Sequence, residues 1–469
     1  MLNRESASNP DPAVSGRRFP PGFVFGAATA SYQIEGAVAA DGRGESIWDR
    51  FAHTPGRIRA DDTGDVACDH YGRYREDVAI MAELGLDAYR FSVAWPRVMP
   101  AGTGPVNEAG LDFYDRLVDE LLAHGIAPHM TLYHWDLPQV LEDAGGWPVR
   151  ATALAFADYA AAVAARLGDR VGHIATINEP QIVADHGYRT GDHAPGRVEP
   201  DAALAAAHHV LVAHGLAVQA IRAVAPRVAS GIVLNLEPKH PATGHPLDLE
   251  AALVAHDQAN RWFLDPLVGR GYPEDGAHAW GWQGREVLDG DMAVIAAPID
   301  FLGVNYYSRR LVRSPLLPPL PAGGRSAERT GMGWEVYPAG LTEVLELAAS
   351  RTGALPLYVT ENGAAYPLDT LEPTRDPERV DFLWRHLEAV LVAIDRGVPV
   401  RGHFVWSLLD NFEWAHGYAH RFGIVHVDYD TLERRVRDSG RFWASVARDG
   451  LVPLDAASSD GNPERAPSP

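Results

Sequence analysis

Two short apolar runs each end on a glutamate. One is Pro356-Leu357-Tyr358-Val359-Thr360-Glu361-Asn362-Gly363. Tyr358 and Val359 favour an extended backbone, the flanking Pro and Gly punctuate it, and Asn-Gly turns the chain at once. The other is His173-Ile174-Ala175-Thr176-Ile177-Asn178-Glu179-Pro180, where Pro180 blocks further extension. A charge at the last residue of an apolar strand suits the mouth of a barrel or the carboxyl edge of a sheet, where sites are built. A single glutamate of this kind is more often a solvated loop residue. Two in matching contexts point to two carboxylates facing one cavity, an arrangement for acid, base or nucleophile work.

Such a pair needs elements to hold it. Apolar segments recur at 23–30, 88–95, 127–134, 173–179, 229–236, 300–307, 356–361 and 402–409. Helical patterns lie between them at Tyr71–Leu84, Leu111–His124, Thr152–Leu167, Ala202–Val224 and Pro377–Arg396. Alternating strand and helix argues for βα units and a parallel sheet. Eight strands, with no Gly-x-Gly-x-x-Gly after the first, favour a single-domain α/β (β/α)8 TIM barrel over an open sheet. Extended βα loops would then cover the mouth. The Pro-, Gly- and Arg-rich stretch 308–355 is expected to be such an excursion, a lid or specificity loop. The barrel is expected over residues 18–454, between disordered extensions at 1–17 and 455–469.

In a barrel the strand ends converge. Gln33 follows the first strand, and Arg90 lies in the second. His134 ends the third, and Asn178 with Glu179 ends the fourth. Asn305 and Tyr307 end the sixth, and Glu361 ends the seventh. Trp406 lies in the eighth, with Glu413 and Trp414 in the loop beyond. Amides, an imidazole and carboxylates can bind hydroxyls, and indoles can pack on the C–H face of a pyranose. Two carboxylates on a sugar are the means of glycoside hydrolysis. Arg90 and the Tyr307 hydroxyl are expected to hold Glu361 as the carboxylate. Glu179, beside Asn178 and near His134 without an evident cation, is expected to keep its proton.

Composition narrows the partners. The chain has 469 residues, 46% of them hydrophobic, and a net charge of −21, with a pI of about 5.3. This balance disfavours nucleic acid and anionic membrane surfaces. The single cysteine, Cys68, excludes an internal disulfide and fits a reducing compartment. Arg17-Arg18 before an apolar stretch resembles a twin-arginine signal, but Pro20-Pro21-Gly22 interrupts it. With no uncharged apolar run long enough to cross a bilayer expected, a cytoplasmic location is read. His208, His209 and His214 on one Ala-rich helix are read as packing or surface residues, not metal ligands, and Arg309-Arg310 and Arg434-Arg435 as solvated charge.

Nine motifs in order carry a resemblance. They are Phe25–Gly36 (FGAATASYQIEG), Tyr89–Ser92 (YRFS), His134–Pro138 (HWDLP), Thr176–Pro180 (TINEP), Ala194-Pro195-Gly196, Asn305-Tyr306-Tyr307, Gly333-Trp334-Glu335, Thr360–Gly363 (TENG) and Trp406–Trp414 (WSLLDNFEW). Together they resemble the family 1 glycoside hydrolases, the β-glucosidase group, from about residue 18 to 450. The resemblance implies a retaining mechanism without a cofactor or metal. It implies Glu179 as acid/base and Glu361 as nucleophile, with Arg90, Asn305 and Tyr307 supporting the nucleophile. Gln33, His134, Asn178, Trp406, Glu413 and Trp414 would hold the non-reducing sugar, and Trp334 would stack on the leaving group. Glu413 stands where the branch acting on 6-phosphorylated sugars has Ser, and no Lys follows in 415–418, so that branch is rejected. The expected substrate is a small β-glucoside or oligosaccharide. β-Galactosidase, β-fucosidase or transglycosylase activity and a non-catalytic sugar-binding barrel remain alternatives, and a homo-oligomer is left open.

Overall fold

A computed structural model of the chain describes residues 16–320 and 327–454. Eight parallel strands close into a barrel: β1 (Val24–Ala28), β2 (Ala88–Ser92), β3 (Ala127–Tyr133), β4 (His173–Asn178), β5 (Ala229–Asn235), β6 (Phe301–Asn305), β7 (Leu357–Asn362) and β8 (Val400–Trp406). Neighbours pair in sequence order, and β8 returns to β1 through Gly402↔Val24 to Trp406↔Ala28. Every expected barrel strand is present.

Helices follow each strand. The principal ones are α1 (His70–Glu83), α2 (Glu108–Ala123), α3 (Arg150–Leu167), α4 (Pro200–Val224), α5 (Pro246–His256), α6 (Pro338–Thr352), α7 (Pro377–Asp395) and α8 (Asp438–Asp449). Helix α4 carries no Asp, Glu, Lys or Arg from 202 to 221. It is long and apolar enough to cross a membrane, which corrects the expectation from sequence, but 83% of its most apolar window is buried. It is a core helix packed on α3 and on the barrel. Its histidines are buried in polar contacts: His208 with the Tyr272 hydroxyl and Asp291, His209 with the Trp147 carbonyl, and His214 with Thr176.

Three further expectations change. The stretch 308–355 is not all loop, because α6 fills its second half. Leu341, Val344, Leu345 and Ala348 point inward at helical spacing, and Pro338 and Gly340 at the start disguise it. Part of the expected lid, 321–326, lies outside the described residues. The N-terminal boundary also moves. Gly16–Arg18 pairs antiparallel with Leu451–Pro453, and Arg17 bridges to Glu388 at 2.6 Å. The expected tails at 1–15 and 455–469 lie outside the described residues. Finally, Arg434 is buried rather than solvated, and Arg309 is part-buried in an ion pair. Arg434 is buried against Asp77 and the Cys68 carbonyl. Arg309 forks onto Glu335 over the Tyr337 ring.

Candidate active site

All eight strands deliver their carboxyl ends to one mouth. At the end of β4, Glu179 has a left-handed backbone with φ +50°. That conformation is strained for a residue with a Cβ. Pro180 then starts the helix Pro180–Ala184, so the chain leaves the barrel wall at the carboxyl-bearing residue. The Glu179 amide still reaches across to the Val233 carbonyl of β5 at 2.9 Å. Glu361 lies three strands on, in β7, paired with Asn305 of β6. Gly363 lies so close to the Trp406 carbonyl that a Cβ there would collide with it, which locks the ends of β7 and β8 together.

Both glutamates are 3% exposed, but their surroundings differ. Glu361 Oε1 accepts from Arg90 Nη1 at 2.6 Å, and its Oε2 accepts from the Tyr307 hydroxyl at 2.7 Å. Both carboxylate oxygens are thereby gripped and the side chain is held in one orientation. Glu179 meets neutral amides instead. Asn305 Nδ2 donates to its Oε1 at 2.5 Å and Asn235 Nδ2 to its Oε2 at 3.4 Å. Burial, and then the charge of Glu361, push the Glu179 carboxyl above the ordinary carboxylate range. The two amides and the more distant Arg90 only partly offset this. One carboxyl gripped by a guanidinium and another that keeps its proton is the division of labour that glycoside cleavage requires.

Asn305 differs from its expected place. It was expected to support Glu361, but its side chain bonds Glu179 and Asn178. Arg90 and Tyr307 do lie on Glu361. Arg90 Nη2 also donates to Asn178 Oδ1 at 2.7 Å, so the two strand ends share one guanidinium. Because Asn178 Oδ1 is occupied, its Nδ2 is the donor to His134 Nε2 at 3.2 Å. The His134 proton therefore sits on Nδ1. Burial and Arg90 hold that imidazole far below its usual pKa, and so neutral.

The remaining expected residues line the same mouth. Gln33 donates to Asn411 Oδ1 and to the Phe412 carbonyl. His134 stacks on Trp406 and Trp414, with ring centroids at 5.7 and 5.9 Å. Trp334 packs against Tyr307 at 5.4 Å. Three polar atoms, Gln33 Oε1, His134 Nδ1 and Glu413 Oε2, are buried without a partner among the described residues. Such groups are costly when unpaired. Here all three sit on side chains expected to hold sugar hydroxyls. Burial, and then the charge of Glu361, push Glu413 up to about 8. The loop 406–414 is anchored from beneath by fully buried Asp410. It accepts from Arg437 at 2.7 and 2.8 Å and from Arg421 at 3.0 Å, with His426 Nδ1 at 3.2 Å.

Sequence reasoning missed Asn235, Thr360 and Trp135, whose Nε1 donates to the Asn178 carbonyl at 2.9 Å. Asn235 ends β5 as Asn178 and Asn305 end β4 and β6. The strand-end rule, applied to that strand as well, would have found it.

A closed barrel with two unequal buried carboxyls at its carboxyl-end mouth, walled by indoles, defines a hydrolase of glycosidic bonds. The chain belongs to glycosyl hydrolase family 1, whose family model matches residues 15–450. It is 46% identical over 444 residues to a β-glucosidase of Agrobacterium sp., covering 93% of this chain and 97% of that one. It is 45% identical over 463 residues to a bifunctional β-D-glucosidase/β-D-fucosidase of Bifidobacterium breve, covering 92% and 98%. Among solved structures, an Alicyclobacillus herbarius enzyme superposes with a TM-score of 0.89 at 50% identity, covering 93% and 98%. A Thermotoga maritima β-glucosidase in complex with glucoimidazole superposes with a TM-score of 0.88 at 44% identity, covering 92% and 99%.

Proposed function

We propose that this chain is a retaining, exo-acting β-glucosidase that removes terminal β-D-glucosyl residues from cellobiose and from aryl or alkyl β-glucosides. The observation that carries the reading is the asymmetry of the two glutamates. Glu361, held by Arg90 and Tyr307, attacks the anomeric carbon. Glu179 gives its proton to the glycosidic oxygen, and the aglycone leaves as the alcohol. Forming the glycosyl ester removes the Glu361 charge, one of the two causes that keep Glu179 protonated. Glu179 is thereby eased into its second role. It takes a proton from water, the hydroxide attacks the anomeric carbon, and Glu361 departs with the sugar configuration retained.

Gln33, His134, Asn178 and Glu413 hold the sugar hydroxyls, Trp406 and Trp414 form its wall, and Trp334 faces the aglycone. A second reading, hydrolysis of β-D-fucosides by the same site, is favoured by the bifunctional relative. The protein acts in the cytoplasm as one catalytic barrel, and its charge of −21 keeps it off nucleic acid and anionic membranes.

The test is hydrolysis of 4-nitrophenyl β-D-glucoside by wild type, Glu361→Gly and Glu179→Ala, with and without azide. The reading expects an active wild type, and rescue of each variant by azide to glycosyl azides of opposite anomeric configuration. A wild type inert on gluco-, galacto- and fuco-configured substrates alike refutes it.

A further inference from the structure

Thr360 immediately precedes Glu361, yet its side chain serves the other glutamate. Across the β6–β7 pair, Val304 faces Val359 and Asn305 faces Glu361. One residue of β6 therefore spans two of β7, and Thr360 is the extra residue of a β-bulge. Bulges beside active sites re-aim a side chain. This one directs the Thr360 hydroxyl at Asn305 Oδ1, where it donates at 2.7 Å. Gly303, two residues before Asn305 on β6, makes the room, because a Cβ there would meet the Thr360 methyl and hydroxyl.

The Asn305 amide is then fully used. Its oxygen has Thr360 as its side-chain partner among the described residues. Its nitrogen donates to Asn178 Oδ1 at 3.1 Å and to Glu179 Oε1 at 2.5 Å. Asn178 Oδ1 already accepts from Arg90. A donor on Oδ1 and acceptors around Nδ2 leave one orientation. We propose that Thr360 is a positioning residue for Glu179, acting through the Asn305 side-chain amide, so that the strand carrying the nucleophile also sets the geometry of the acid. The proposal rests on the assignment of Glu179 as acid/base.

Without the hydroxyl, Asn305 Oδ1 is a buried acceptor with no donor. The amide relieves this by shifting or turning. A turned amide presents its oxygen to Glu179, where it accepts the carboxyl proton and so holds it back from the glycosidic oxygen. Loss of the N–H donor also removes a group that favours the charged carboxylate. Thr360→Val, nearly the same shape, makes this change. Cleavage of phenyl β-D-glucoside needs the acid, whereas 2,4-dinitrophenolate leaves without one. The experiment measures kcat/KM against pH for both substrates with wild type, T360V, T360S, N305A and T360V/N305A. The ratio of the two substrates is read on one preparation, so a partly misfolded sample does not alter it. T360A supplies the same loss if T360V does not accumulate.

The expected result for T360V is a loss of about tenfold on the phenyl glucoside, the size of one unsatisfied buried acceptor, and about twofold or less on the dinitrophenyl glucoside. Its alkaline limb moves to higher pH, T360S restores both properties, and T360V adds little in the N305A background because the two side chains act as one unit. Equal losses on both substrates with an unmoved alkaline limb, or effects that simply add, overturn the proposal and leave Thr360 a packing residue. E179A separates this failure from failure of the underlying assignment. If E179A shows the leaving-group dependence and T360V does not, only the Thr360 proposal falls. If E179A lacks it too, the acid/base assignment falls.

Discussion

Glu413→Gln exchanges a buried acid for a neutral amide of nearly the same shape, and its effect on stability should depend on pH. Glu413 is 8% exposed, and its Oε2 has no partner among the described residues. The guanidinium of the mouth, Arg90, is committed to Glu361 and Asn178. Burial and the Glu361 charge raise the Glu413 carboxyl from 4.5 to about 8. Between those values the native state therefore binds more protons than the unfolded chain. The contribution is fully present below about 4.5 and is lost as pH rises through about 8, so stability falls with pH in this window. At about 1.4 kcal/mol per unit, complete ionisation in place costs about 5 kcal/mol. An unfolding entropy near 2.1 cal/mol/K per residue, over the whole chain, makes that about 5 °C in Tm. The assay is thermal unfolding of ligand-free wild type and E413Q at a fixed scan rate from pH 5 to 9. Subtracting the two curves cancels the titrating groups that do not interact with Glu413. Wild type should lose about 4 °C relative to E413Q from about pH 5 to 9, because part of the contribution is already gone at the acid end of that range. Parallel curves would refute the claim that Glu413 is held protonated by its surroundings.

Arg90→Met should reduce hydrolysis of 4-nitrophenyl β-D-glucoside by at least about a thousandfold and destabilise the ligand-free enzyme by about 3–5 kcal/mol in denaturant titration, because it strands Glu361 as a buried unpaired charge. In wild type, kcat/KM should fall on the alkaline side as Glu179 loses its raised proton, and Asn235→Ala should move that limb to higher pH because one donor to the carboxylate is gone. Asp410→Ala, which removes the shared carboxylate from Arg437, Arg421 and His426 beneath the sugar-binding loop, should cost about 3–5 kcal/mol of stability and raise KM more than it lowers kcat.

The barrel was legible because its strands are apolar runs between turn residues, and that periodicity survives any detail of packing. The glutamate positions were legible for the same reason, since each ends such a run. The partner of Asn305 was not. It depends on a one-residue bulge in β7 and on an amide orientation set by a neighbouring strand, and neither leaves a trace in residue spacing. Helix α6 was hidden by Pro338 and Gly340, which read as loop but sit in its first turn. Arg434 read as solvated charge because Arg434-Arg435 are adjacent in sequence. A strand sends neighbours to opposite faces, so one enters the core and the other faces water.

The central claim is that Glu361 forms a covalent bond to the sugar. The most direct test is intact-protein mass spectrometry after incubation with 2-deoxy-2-fluoro-β-D-glucosyl fluoride, followed by peptide mapping. The fluorine slows both steps, and the fluoride leaving group restores the first, so the intermediate accumulates. The account predicts one 2-fluoroglucosyl group per chain on the peptide that carries Glu361, and none in E361G. A modification on any other residue, or an enzyme that turns over β-glucosides while remaining unlabelled, would contradict it.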